Sequence, residues 1–311
     1  MLKQSWETYR GWAKRARGLQ AETDFWNVLA LVCVVVAALC GAATTIFPKP
    51  SVLGPSLAIA AALASAAGAY FGKTVVGSGK EAGWAQARAT AEAIKSECFR
   101  YTARAGPYSQ SNAVKTFLDR IDAFAETATD AGLAPSDDPI PAKGDERMPT
   151  DPMAPRPEDE GAAKRWYVTH RIDEQVKYYR KGQEKNEVLA SRLWWIAFLA
   201  GLAAVLFGAI GAYAQAFAPW IGSLTTIAAA VAAYGLVDRR KYLIASYAGM
   251  QVSLKRIKAL DEAQPASLAD LVTETEDLLD REHGEWQPHI LGTLHKPPPQ
   301  AEAPGAVGSG G

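Results

Sequence analysis

Leu193 to Val237 reads LWWIAFLAGLAAVLFGAIGAYAQAFAPWIGSLTTIAAAVAAYGLV, with no charged side chain in it. A bilayer core takes about 20 apolar residues per helix. This run therefore holds two crossings, with a break around Ala218-Pro219-Trp220. Two further uncharged runs, Phe25 to Pro48 and Pro50 to Gly72, hold one crossing each. The expected fold class is an all-α integral membrane protein with four transmembrane helices in two pairs.

The charges balance, 33 Lys and Arg against 33 Asp and Glu over 311 residues. They lie outside the apolar runs, and the mean hydropathy of -0.08 marks much of the chain as soluble-like. No basic excess supports nucleic-acid binding. Cys33 and Cys40 fall in the first membrane run and Cys98 in a polar segment, a pattern that argues against a disulfide framework. Met1 to Asp24 is too polar for the apolar part of a signal peptide, so the first run is expected to be an uncleaved signal-anchor.

Lys and Arg near the membrane ends set the orientation. Lys3, Arg10, Lys14, Arg15 and Arg17 precede the first crossing, and Lys73, Lys80 and Arg88 follow the second. Lys177, Arg180, Lys181, Lys185 and Arg192 precede the third, and Arg239, Arg240 and Lys241 follow the fourth. The short loop Pro48 to Gly54 holds only Lys49, and Ala214 to Trp220 holds no charge. Both termini and the central region are expected in the cytoplasm, with both short loops facing outward. Trp26, Trp194 and Trp195 then sit at the inner interface and Trp220 at the outer one.

The two halves look like tandem copies of a two-crossing module in one orientation. Each has a Tyr-Arg pair (Tyr9-Arg10, Tyr179-Arg180), a Trp at the membrane entrance, two crossings, a long polar helix and a Pro-x-Ser break (Pro107 to Ser109, Pro265 to Ser267) before a last helix. The expected first module is 1–130, with crossings at about 26–47 and 53–72 and cytoplasmic helices at about 80–104 and 111–129. A Pro-rich linker, 131–164, is expected to be disordered. The second module is 165–287, with crossings at about 193–215 and 219–237 and helices at about 238–262 and 267–284. A flexible tail, 288–311, closes the chain.

Apolar stripes run along the polar helices: Trp84, Ala87, Ala91, Ile94, Cys98 and Tyr101 in one, and Leu243, Tyr247, Met250, Leu254 and Ile257 in the other. The next helices carry Val114, Phe117, Ile121 and Phe124, and Leu268, Leu271, Thr275 and Leu278. Two amphipathic hairpins are expected to form a bundle, either closing its own core or joining chains. Ser267 with Asp270 resembles a capping box.

Small residues recur every fourth position at Ala60, Ala64, Gly68 and Gly72, and at Ala200, Ala204, Gly208 and Ala212. Such stripes let helices approach closely in lipid, within a chain or between subunits. Thr44, Thr45, Thr225 and Thr226 either ring an aqueous mouth or bond back to their own helices. No ionisable residue sits in the crossings, which argues against a proton-coupled transporter. Lys255, Arg256 and Lys258 are a candidate site for a signal, an anionic ligand or a lipid headgroup. Gly77-Ser78-Gly79-Lys80 fails as a phosphate loop, because Thr74 and Glu81 occupy two of its required positions. His283, His289 and His295, six apart, do not share a helical face for a metal. No enzyme motif and no cofactor site is found.

Trp84-Ala85-Gln86-Ala87-Arg88-Ala89-Thr90-Ala91-Glu92-Ala93-Ile94-Lys95-Ser96-Glu97, continuing to Arg100-Tyr101 and Gly106-Pro107-Tyr108, resembles the post-membrane helix of bacterial SLATT modules. Tyr178 to Trp286, closing with Glu276, Leu279, Glu282 and Trp286, is similar to another variant of that superfamily. The resemblance implies an effector of anti-phage systems that permeabilises the membrane when a separate sensor protein or nucleotide signals infection. A homo-oligomer in contact with membrane lipids is the expected pore. A membrane-anchored scaffold without a pore and a constitutive ion channel are the alternatives.

Overall fold

The computed structural model describes residues 1–47, 52–77, 79–137, 148–149, 159–211, 213–214, 217–235 and 237–291. Among them all regular structure is helical. The first half contains α1 (Leu2–Ala43), α2 (Leu53–Gly77), α3 (Lys80–Thr102) and α4 (Ala113–Asp130). The second contains α5 (Glu160–Tyr167), α6 (Asp173–Gly211), α7 (Ala218–Gly235), α8 (Val237–Ala263) and α9 (Leu268–Leu291). A π-helical turn, Val168–Ile172, joins α5 to α6.

Three helical stretches are long and apolar enough to cross a bilayer: Leu2–Ala43, Leu53–Lys73 and Glu160–Gly211. The fourth expected crossing corresponds to Ala218–Tyr234, which is apolar but shorter. The four apolar segments pack in the order α2, α1, α7, α6. This is a row rather than a closed bundle. Its apolar outer faces, with Ile59, Leu63, Val205 and Leu206 exposed, suit lipid as solvent.

Aromatic clusters mark the ends of the row. Trp26 meets Phe71 at 5.2 Å between ring centroids, and Trp194 stacks on Phe198 at 5.2 Å. At the other end of α6, Phe207 stacks on Phe217 at 5.5 Å. Amphipathic rings at both ends of apolar helices are what an interface selects.

α1 and α6 run without a break from the apolar row into an extramembrane bundle. There α1 packs on α3, α6 on α8, and α3 on α9. One core joins both halves, from Trp6, Tyr9 and Trp12 of α1 through Ile94 and Phe99 of α3 to Leu254, Leu271 and Leu279. The stripe Trp84, Ala87, Ala91, Ile94 and Cys98 is buried in it, as are Tyr247, Met250, Leu254 and Ile257. The bundle therefore closes its own core within one chain.

Local chemistry sets the helix ends. Gly79 takes a left-handed conformation, φ 63°, at the start of α3, where a side chain would be strained. At α9, the Asp270 backbone N–H donates to Ser267 Oγ at 3.1 Å, and the Ser267 hydroxyl donates to the Asp270 carboxylate at 2.6 Å. Both ends of the expected linker belong to the folded part. Gly11 lies against Pro135 and Ser136, whose N–H donates to the Gly11 carbonyl at 3.2 Å. The next helix begins at Glu160, inside the span expected to be linker. The other linker prolines (Pro149 apart), the tail beyond Leu291, Lys49 and Ser78 lie outside the described residues.

Candidate functional site

Two places gather chemistry: a charge network inside the bundle and a small-residue groove in the apolar row. The network centres on Glu276 of α9, wholly buried. Arg171, in the π turn, donates from Nε to Oε1 at 2.9 Å and from Nη2 to Oε2 at 2.6 Å. The Tyr167 hydroxyl donates to Oε1 at 2.9 Å. The Arg171 guanidinium also covers the Phe99 ring of α3 at 4.8 Å. A two-pronged pair with a third donor and an aromatic lid supplies the hydrogen bonds that a buried ion pair needs.

A second node surrounds Glu97 of α3, also buried. Arg120 donates to it at 2.8 Å, Arg100 at 3.1 Å, and the Tyr108 hydroxyl completes the set. Arg100 reaches across to the other half, meeting Asp277 and Asp280 of α9 at 2.7 Å each. Higher up, Arg88 donates to the Tyr178 hydroxyl at 2.6 Å. Arg88, Phe99 and Arg100 thus tie α3 to α6 and α9 along one seam.

Burial tunes the titrating groups of this seam. It pushes the Tyr108, Tyr167, Tyr179 and Tyr247 phenols above their usual value, helped in the first three by the carboxylates of Glu97, Glu276 and Glu282, and in Tyr247 next by Tyr178. It pushes the Cys98 thiol up as well. Asp280 is raised by burial despite its contact with Arg100.

In the apolar row, α1, α2 and α7 enclose a groove of about 480 Å³. Ala37, Gly41, Ser65, Gly68, Ser223 and Thr226 line it. The small-residue stripe of α2 supports one wall. A Cβ on Gly68 would meet Cys33 Cβ at 3.2 Å, so this glycine serves the close approach of α1 and α2 in one chain. Ala60 and Ala64 are half-buried. Ala204 is buried where α6 packs on α7, and a Cβ on Gly208 would touch Ile221 at 3.7 Å. A Cβ on Gly72 meets nothing within 4 Å. Ala212 lies outside the described residues.

All four threonine hydroxyls bond back to their own helices. Thr44 donates to the Gly41 carbonyl at 2.7 Å and Thr45 to Ala42 at 2.8 Å. Thr225 donates to Ile221 and Gly222, and Thr226 to Gly222 at 2.8 Å. Of the four, Thr226 lines the groove. The three basic residues do not converge. Lys258 pairs with Asp173 at 2.8 Å, whereas Lys255 and Arg256 are exposed. Among the described residues no cluster of His, Cys, Asp and Glu has metal-binding geometry.

Sequence reasoning placed Glu276 and Glu282 in a pattern but did not anticipate the Arg171 partner. Arg171, in the π turn, and Glu276, on α9, lie 105 residues apart, so no local spacing pairs them.

The apolar row with its helical bundle defines an all-α membrane protein. Residues 167–286, which carry Arg171, Tyr179, Glu276 and Glu282, match the family model of the SMODS and SLOG-associating 2TM effector domain 1, SLATT_1. Over that span the second half of the chain is similar to SLATT domains. Residues 4–115 match a different model, described as a protein of unknown function (DUF4231). No curated protein and no solved structure matches the chain.

Proposed function

We propose that this protein is an oligomeric, non-enzymatic effector that permeabilises a bacterial inner membrane during anti-phage defence, held closed until a sensor protein or nucleotide signal acts on its bundle. The effector domain over residues 167–286 carries this reading. The continuity of α1 and α6 from bundle to apolar row supports it, since movement at the α3–α9 seam reaches both helices. The bundle lies in the cytoplasm, with both termini, on the strength of the Lys and Arg that flank the row. α7, packed between α1 and α6, makes the fourth crossing. The two halves are two copies of one module, each with two apolar helices, a polar helix, a proline break and a closing helix. The aqueous path arises between subunits, because a row of four helices encloses none by itself.

The alternative is a membrane-anchored scaffold whose bundle recruits a partner without ion flow. Purified full-length chain in anionic-lipid vesicles, loaded with an ion-sensitive dye, separates the two. Ion leak that rises steeply with protein density supports the effector. Vesicles that stay tight at every density, with the protein correctly inserted, support the scaffold.

A further inference from the structure

Outside the apolar row, exposed large apolar side chains concentrate on few places. On α4 they are Val114, 51% exposed, and Leu118, 41% exposed. On the polar part of α8 they include Val252, 67% exposed, and Leu260, 49% exposed. Each pair shares a helical face with one charged residue. Val114, Leu118 and Asp122 recur every fourth position, as do Val252, Arg256 and Leu260. Each triplet spans about 12 Å of helix. The charges are opposite, Asp122 against Arg256. Both charged side chains are exposed, and no ion pair joins either to another described residue.

The two faces belong to different edges of the bundle. α4 rests on α3, whereas α8 rests on α6 and α9. They also lie at matching levels. α3 and α8 each run away from the apolar row to a proline break, Pro107 and Pro265. Leu260 comes shortly before one break and Val114 shortly after the other, so α8 and α4 run in opposite directions relative to the row.

We infer that α4 of one copy docks on α8 of the next, staggered by about half a helical turn, so that Leu260 packs between Val114 and Leu118 and Arg256 lies between Leu118 and Asp122, its guanidinium paired with the Asp122 carboxylate. The inference rests on the oligomeric reading above and names its contact. Two different surfaces in contact make a heterologous interface, which closes into a ring when the rotation permits.

The test is the mass of full-length assemblies extracted with their native lipid, for wild type, Asp122→Lys, Arg256→Glu and the double variant. Each single reversal sets like charges opposite each other at every contact and is expected to lower the oligomeric fraction at least tenfold. The double variant restores an opposite pair and is expected to recover wild-type assembly, which a folding defect does not do. An oligomeric wild type with unaffected single variants overturns this contact while leaving assembly standing. A monomeric wild type overturns assembly and the contact with it.

Discussion

Arg171 and Glu276 form a two-pronged ion pair at 2.9 and 2.6 Å, both side chains withdrawn from solvent, one in a π turn and one on α9. Phe99, from the other half of the chain, closes over the guanidinium. A π turn adds a residue to a helical turn and marks places where a helix is held out of its natural register. Here it delivers Arg171 to Glu276, and α6 runs on from it into the apolar row.

Removing one partner leaves the other charge buried and unpaired. Glu276→Ala is expected to lower bundle stability by about 3–5 kcal/mol. Arg171→Met with Glu276→Leu, which removes both charges and keeps volume, is expected to recover most of it. Denaturant unfolding followed by Trp fluorescence checks this. Equal losses in the single and double variants would refute it.

Four buried phenols make the bundle sensitive to alkali. Tyr108, Tyr167, Tyr179 and Tyr247 hold their protons above the usual value, about pH 10. Above that pH the unfolded chain loses protons that the folded chain keeps. Their contribution is complete below about pH 10 and fades as pH climbs further. Tyrosinate absorbance is expected to rise in one step with loss of helicity. A gradual rise near pH 10, with helicity intact, would contradict the burial.

Gly182 faces the Tyr247 ring so closely that an added Cβ would lie 2.7 Å from Cε2. Tyr179 backs that ring at 5.6 Å. Gly182→Ala is expected to cost about 1–3 kcal/mol. Gly18→Ala, where a Cβ meets nothing within 4 Å, is expected to stabilise α1 by about 0.5–1 kcal/mol. Thermal melts of the two variants should move in opposite directions.

Gly68 and Gly72 share one stripe but not one environment. Gly68→Leu is expected to force α1 from α2 and speed thiol labelling of Cys33 several-fold, because Cys33 is the residue it would strike. Gly72→Leu is expected to leave labelling unchanged. Similar rates in both variants would show that the hairpin does not pack as described.

The apolar row and the bundle's stripes were legible because each follows a local rule, length without charge in one case and a spacing of three and four in the other. Trp84, Ala87, Ala91, Ile94 and Cys98 are buried as their spacing requires, as are Tyr247, Met250, Leu254 and Ile257. The start of α1 was less legible. Its cations spoke only to orientation, yet Trp6, Tyr9 and Trp12 enter the core. The charge network was not legible at all. Arg171 and Glu276 look like surface residues until the fold brings them together, and no propensity signals a π turn. The threonines and the α2 glycine stripe each had two readings. The threonine hydroxyls bond to their own helices, and Gly68 lies against α1.

The central claim is permeabilisation. Its most direct test is the membrane potential of bacteria after induced expression of the full chain, read with a potential-sensitive dye while membrane insertion is confirmed. The account predicts rapid depolarisation and growth arrest with wild type. Cells that keep their potential and their growth, with the protein inserted in the inner membrane at high density, would contradict it.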